Sequence, residues 1–303
     1  MNILADLFKK GLLPKGIKKW IIEDCHYLVT MGSYAYGISQ ELSDVDLYGF
    51  CIPPREIVFP HTLGIIRSFG NQGERFDQFQ QHHILDKEQK KEFDITIYNI
   101  VKYFQLCMDN NPNMIDSLFV PFNCINHMTK VGNIVRENRK IFLSKKAWWS
   151  FKGYSFSQIH KLKTKNPIGK RKSLIEKYGW DTKFGSHAVR LLLEVEQILN
   201  EGDIDLQRDR EQLKAIRRGE WTMDELIKYV SDKEKQLEGL YLKSKLPQYP
   251  RERELKNLLM SCLEEHYGSL DSAMKSLDGL GDFQKLFLDL ENILSKYDWR
   301  GPS

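Results

Sequence analysis

The spacing of apolar and polar positions changes near residue 125. Before it, short apolar runs alternate with turn residues. HYLVTMG (26–32), VDLYGFCI (45–52), LGIIRSF (63–69), FDITIYNI (93–100) and SLFVPF (117–122) predict strands. Between the last two, YNIVKYFQLCMDN predicts a helix stopped by Asn110-Asn111-Pro112. Beyond 125 the apolar positions recur at helical spacing in WWSFKGYSFSQIHKLK, FGSHAVRLLLEVEQILN, residues 207–219, MDELIKYVSDKEKQLEGLYLKS and RERELKNLLMSCLEEHYGSL. The polar stretch GNQGERFDQFQQHHILDKEQKKE (70–92) reads as a long excursion off the sheet. The pattern predicts an α/β part over residues 1–125 and an all-helical part over 126–303.

Within the first part, MGSYAYGISQELSDVDLYG (31–49) breaks the strand rules. Asp44 and Asp46 are two residues apart on a predicted strand, so both carboxylates point to one side. Two like charges that close are costly unless a metal, a basic side chain or water lies between them. Gly32-Ser33 follows the preceding strand, and glycine lets backbone approach a ligand while free N–H groups bind phosphate. In FDITIYN, Phe93, Ile95 and Ile97 alternate with Asp94, Thr96 and Tyr98, which turns Asp94 away from the apolar side. Glu92 and Asp77 are competing acids nearby. A phosphate cradle beside three strand carboxylates suits two-metal phosphoryl chemistry, because Mg²⁺ takes carboxylate and phosphate oxygens. Gly-Ser alone, or Asp-x-Asp alone, is a common structural feature; the ordered set is far more specific.

Composition narrows the setting. The 303 residues carry a net charge of only +4, so any nucleic-acid role is local. Aromatics at 12% and hydrophobics at 41% are ample for a core. Cysteines 25, 51, 107, 124 and 262 are scattered with no CxxC pair, which speaks against a zinc site or disulfide framework and fits a reducing cytoplasm. The opening MNILADLFKKGLLPKGIKKW is broken by lysines and Pro14 and lacks a signal-peptide pattern. No apolar run approaches the roughly 20 residues that span a bilayer.

The helical part adds candidates. His187, Arg190, Glu194 and Gln197 form one polar stripe opposite Ala188, Leu191, Val195 and Ile198; spacing alone reads it as a solvated face with an Arg–Glu pair. Arg217 and Arg218 in AIRRGEW sit at a helix end, where the helix dipole already favours cations, and RNA binding accounts for them about as well. The run HKLKTKNPIGKRK (160–172) holds Lys161, Lys163, Lys165, Lys170, Arg171 and Lys172 and no acid. With Tyr154, Phe156 and His160 just before it, the run suits single-stranded RNA, by phosphate contacts and base stacking; the plainer reading is a solvated loop. His82-His83 lack metal-ligand spacing, and Trp148-Trp149 read as core.

Taken together, GSYAYG, SDVDLYGF, DITIYNI, NNPNMIDSLF, GYSFSQIHKLK, EKYGWDTKFGSHAVRLL and AIRRGEW resemble the RNA repair pathway DNA polymerase beta family, a branch of the DNA polymerase beta-like nucleotidyltransferases. The resemblance runs from about residue 25 to about 225. It implies an α+β fold with a small mixed β-sheet and helices, followed by an all-helical C-terminal part: a catalytic domain at 1–125 and a helical substrate-binding domain at 126–303. It implies transfer of a nucleoside monophosphate from an NTP to an acceptor hydroxyl, with RNA as expected acceptor. Gly32 and Ser33 would then hold the nucleotide's terminal phosphates. Asp44 and Asp46 would bridge two Mg²⁺ ions (or Mn²⁺), and Asp94 would bind the catalytic one and help deprotonate the attacking hydroxyl. His187 and Arg190 would face the cleft and contact the nucleotide. Transfer to a protein or small molecule, and non-catalytic nucleotide or RNA binding, are the alternatives.

Overall fold

The computed structural model describes residues 3–39, 43–59, 75–164, 170–268 and 290. Among these, five strands form one mixed sheet in the order β3-β4-β2-β1-β5. They are β1 (Cys25–Thr30), β2 (Val45–Cys51), β3 (Gln78–Asp86), β4 (Lys91–Asn99) and β5 (Ile125–Met128). β2 and β4 run parallel; the other neighbours are antiparallel. The helices are α1 (Ile3–Lys9), α2 (Trp20–Glu23), α3 (Arg55–Val58), α4 (Ile100–Met108), α5 (Pro112–Phe119), α6 (Lys130–Glu137), α7 (Lys146–Thr164), α8 (Lys170–Tyr178), α9 (Thr182–Glu201), α10 (Arg210–Arg217), α11 (Met223–Lys243) and α12 (Glu252–Tyr267). The architecture is α+β, with the part after β5 helical.

Residues 1–52 and 77–262 form one compact unit; 53–76 and 263–303 form a second. In the second, Tyr267 donates its hydroxyl proton to the Pro53 carbonyl, and its ring lies 6.0 Å from that of Phe59.

Three sequence expectations are corrected. Ser117–Phe119 does not open a strand; it closes α5. The Asn111 side chain caps that helix by accepting the Met114 N–H, and Pro112 sits where its missing N–H costs nothing. The neighbouring strand falls at Ile125–Met128, beyond the expected change to helix, and pairs with β1. The described part of the polar stretch 70–92 rejoins the sheet: Gln78–Asp86 is β3, an edge strand largely open to water, which is why its pattern carries little hydrophobic signal. The strand expected at 63–69 lies outside the described residues.

The helical layer is built around α9, which packs on α7, α8, α10 and α11. Its residues from Phe184 to Leu199 are buried on nearly every side. A helix enclosed in this way has no solvated stripe.

Candidate active site

β2 and β4 position the acids. Along β2, Val45 and Leu47 are buried on one face while Asp46 and Tyr48 point to the other. Along β4, Phe93, Ile95 and Ile97 are buried and Asp94 alternates with them. The parallel register sets Asp46 directly beside Asp94. That register puts Asp94, rather than Glu92 or Asp77, directly opposite Asp46. Glu92 is engaged by the His83 ring at 2.5 Å, and Asp77 pairs through its carbonyl with Asn99 at the other end of β4.

Gly32 lies against this pair. Its φ is +64°, and a Cβ there would stand 2.1 Å from the Asp46 Oδ2, so only glycine leaves room for that carboxylate. The backbone then turns tightly: the Tyr36 N–H donates to the Gly32 carbonyl and the Ile38 N–H to the Ser33 carbonyl. The Met31 N–H, bonded to the Asp46 carbonyl at 2.7 Å, ties the start of this loop to β2.

The site's negative charge is only partly compensated. Burial, then the neighbouring Asp94, push the Asp46 carboxyl up to about 6, with Asp44 adding to the rise. Asp94 is tethered by β3, where the register slips between Gln81 and Ile84 and His83 takes a φ of +57°. That bulge lets the His83 N–H donate to Asp94 Oδ1 at 2.8 Å and brings His82 Nδ1 to 3.5 Å from Oδ2. Among the described residues no three His, Cys, Asp or Glu groups are already gathered around a metal-sized space. The donors themselves, carboxylates aligned across two strands with unneutralised charge, fit a hard divalent cation.

A basic wall from the helical layer complements the acids. The Lys183 ammonium, in the first turn of α9, lies within electrostatic reach of Asp46 and Asp44. One turn on, burial and the charges of Arg190, Arg217, Lys161 and Arg171 hold His187 well below the ordinary imidazole range, so the ring is neutral. Its centroid lies 5.0 Å from that of Tyr154 on α7. His187 Nε2 and Arg217 Nε are buried polar atoms with no hydrogen-bond partner among the described residues. Such atoms cost free energy unless a ligand satisfies them. Asp181 fixes the first turn of α9: its carboxylate accepts the Lys183 and Phe184 N–H groups and pairs with Arg171 at 3.1 Å.

Several expected contacts take other forms. The polar stripe of α9 is buried rather than solvated. Arg190 is 4% exposed, and its Nη1 donates to Asp116 Oδ2 at 2.5 Å and to both Glu194 oxygens at 2.7 and 2.8 Å. Its guanidinium lies 4.0 Å from the centre of the Tyr36 ring, whose hydroxyl also donates to Asp116. Arg190 thus braces the loop that carries Ser33, with its charge spent on internal carboxylates. The basic run is not without counter-charge: Arg171 pairs with Asp181 and stacks 4.0 Å over Phe184, and Lys172 stands 3.8 Å from Glu176. Nor is the run a simple loop, since Lys161 and Lys163 lie on α7 and Arg171 and Lys172 on α8. Lys165 is outside the described residues, and Lys170 is described only as the start of α8. Arg218 pairs with Glu220 at 2.5 Å. Lys183 was missed by the sequence reading, although it precedes His187 by four residues and extends the same helical row one turn back.

A strand-borne acid pair under a glycine loop, faced by basic helices, is the layout of a nucleotide-handling α+β protein. The chain matches the RNA repair pathway DNA polymerase beta family over residues 23–261 and belongs to that family. Membership implies a polymerase beta-like nucleotidyltransferase of RNA repair. No curated protein matches the chain significantly. Among the described residues no helix is long and apolar enough to cross a membrane.

Proposed function

We propose that the protein transfers a nucleoside monophosphate from an NTP to a hydroxyl at an RNA end. The hydroxyl oxygen bonds to the α-phosphorus, the bond to the β-phosphate oxygen breaks, and pyrophosphate leaves. The observation that carries this reading is the alignment of Asp46 with Asp94 beside Gly32, with Lys183 within electrostatic reach of Asp46 and Arg217 within reach of both Lys183 and His187. Asp44, Asp46 and Asp94 would hold two Mg²⁺ ions, or Mn²⁺, which when bound neutralise phosphate oxygens at the reacting centre.

The remaining roles fall to the chain's own groups. The Gly32-Ser33 turn offers backbone donors and a hydroxyl to the terminal phosphates. Lys183 and Arg217 give these phosphates positive charge, and neutral His187 offers a ring nitrogen for a hydrogen bond. Asp94 is placed to help take the proton of the attacking hydroxyl. Lys161 and Lys163 on α7, and Arg217 and Arg218 at the end of α10, would give the RNA acceptor positive charge. The five cysteines are free and buried, which supports a reducing, cytoplasmic setting.

The test supplies each labelled NTP with Mg²⁺ and a panel of RNA, DNA and protein acceptors. Label on RNA, lost with Asp46→Asn, is the expected result. Label on a protein or small molecule alone would replace RNA as the acceptor; no transfer to any acceptor, with ATP still bound, would leave a nucleotide-binding protein. In parallel, Ser33→Ala should weaken ATP binding by about 1–2 kcal/mol and AMP binding by less. Equal weakening of both would remove Ser33 from the terminal phosphates.

A further inference from the structure

The two adjacent tryptophans part company in the fold. Trp148 is 1% exposed and belongs to the core, as its apolar character suggests; Trp149 is 59% exposed. It opens a row along the outside of α7. Trp149, Gly153, Phe156, His160 and Lys163 are all exposed and recur at intervals of four, three, four and three residues, which is one face of a helix. Phe156 is 66% exposed. Lys152 flanks the row, with its ammonium 4.8 Å from the centre of the Trp148 ring. The face is about 21 Å long, from 14 residues at the helical rise.

We propose that this face binds the body of a single-stranded RNA whose end reaches the active site. The proposal rests on the RNA-acceptor reading above and deepens it. Three observations favour single-stranded RNA over a protein partner. The exposed apolar residues of the row are aromatic rings, with no aliphatic side chain among them, and a flat ring stacks on any base. α7 carries four lysines and no carboxylate, so its field suits phosphate. Gly153 sits in the middle of a helix, where glycine is costly, yet a Cβ there would meet nothing within 4 Å. Packing among the described residues gives no reason for that glycine; close approach by a ligand's backbone does.

The other side of α7 carries Tyr154 to the His187 ring and brings the Lys161 charge within electrostatic reach of it. A strand on the outer face therefore lies about one helix diameter, about 10–12 Å, from the site. It holds the acceptor without touching the reacting atoms. Long acceptors should gain from this face, and very short ones should not.

The test uses the full chain and a fluorescent 20-nucleotide single-stranded RNA, followed by anisotropy across a salt titration. Trp149→Ala/Phe156→Ala removes two exposed rings, so the fold should stand and ATP affinity should not change. Each ring lost should weaken RNA binding at least about fivefold, and the pair about 25-fold. Lys152→Gln/Lys163→Gln should make the salt slope shallower by about 1.4. With a dinucleotide acceptor, transfer by the ring variant should equal that of wild type; with the 20-mer its KM should rise at unchanged kcat. Wild-type affinity in the ring variant would overturn the α7 path and leave the RNA acceptor intact. A wild-type protein that binds ATP but no RNA at low salt would overturn both. Self-association of wild type that the ring variant abolishes, without an effect on RNA, would make the face a contact between copies instead.

Discussion

Replacing Arg190 with methionine removes a buried charge while keeping much of the apolar stem. Among the described residues, Arg190 is the one cation bonded to two carboxyl groups that are themselves almost fully enclosed: Asp116 is 0% and Glu194 2% exposed. Removing one partner of such a set strands the others and costs about 3–5 kcal/mol. Against a usual total of about 5–15 kcal/mol, that is a large fraction. The loss depends on pH. Burial first, opposed by Arg190 and aided by Asp116, pushes the Glu194 carboxyl up to about 8, against an ordinary value near 4.5. A carboxyl raised in this way binds more protons folded than unfolded across that window, so wild-type stability falls as pH rises from about 4.5 to about 8. The titration belongs to the Asp116–Glu194 pair rather than to either residue. Without Arg190 both carboxyls hold protons to still higher pH. The variant's penalty should therefore be smallest near pH 4, where both carboxyls are protonated in either protein, and largest above pH 8. Urea unfolding followed by circular dichroism at pH 4.5, 7 and 8.5 measures it. Adding Asp116→Asn and Glu194→Gln should recover more than half the loss, because no stranded charge remains. A loss below about 1 kcal/mol at pH 8.5, or one that does not change with pH, would refute the reasoning.

Three further outcomes are expected. Asp46→Asn should abolish transfer yet leave the metal-free protein as stable as wild type at pH 8, or more so by roughly 1 kcal/mol, since the raised carboxyl loses stability as pH rises from about 4 to about 6 and an amide does not; a clearly lower melting temperature at pH 8 would count against charge repulsion at the site. Gly32→Ala should lose about 1–2 kcal/mol to backbone strain and, by displacing the Asp46 carboxylate, all transfer activity; activity near wild type would show that the close approach is dispensable. Asp181→Ala should cost about 1–2 kcal/mol in thermal unfolding through the lost cap of α9, and should weaken ATP binding because Lys183 sits in that first turn; unchanged ATP affinity would take Lys183 off the phosphates.

The sequence by itself determined the elements whose two faces differ. β2 and β4 were legible from strict alternation, and α4, α7 and α10 to α12 from helical spacing, because half-buried elements must write their period into the chain. The same alternation put Asp44, Asp46 and Asp94 on the candidate site. Tertiary structure decided what local pattern leaves degenerate. SLFVPF is a short apolar run that suits strand or helix alike, and the Asn111 cap with Pro112 resolved it as the end of α5. β3 carries little pattern because an edge strand needs little burial. Asp94 lies opposite Asp46 across strands about 50 residues apart, a pairing that no local signal specifies. The row on α9 looked solvated because polar residues one turn apart look the same whether water or buried carboxylates lie opposite. Only the packing of α5 and the Gly32 loop against α9 put Asp116 and Tyr36 there. Exposure is likewise a property of neighbours, which is why Trp148 and Trp149, identical and adjacent in the chain, end one in the core and the other in water.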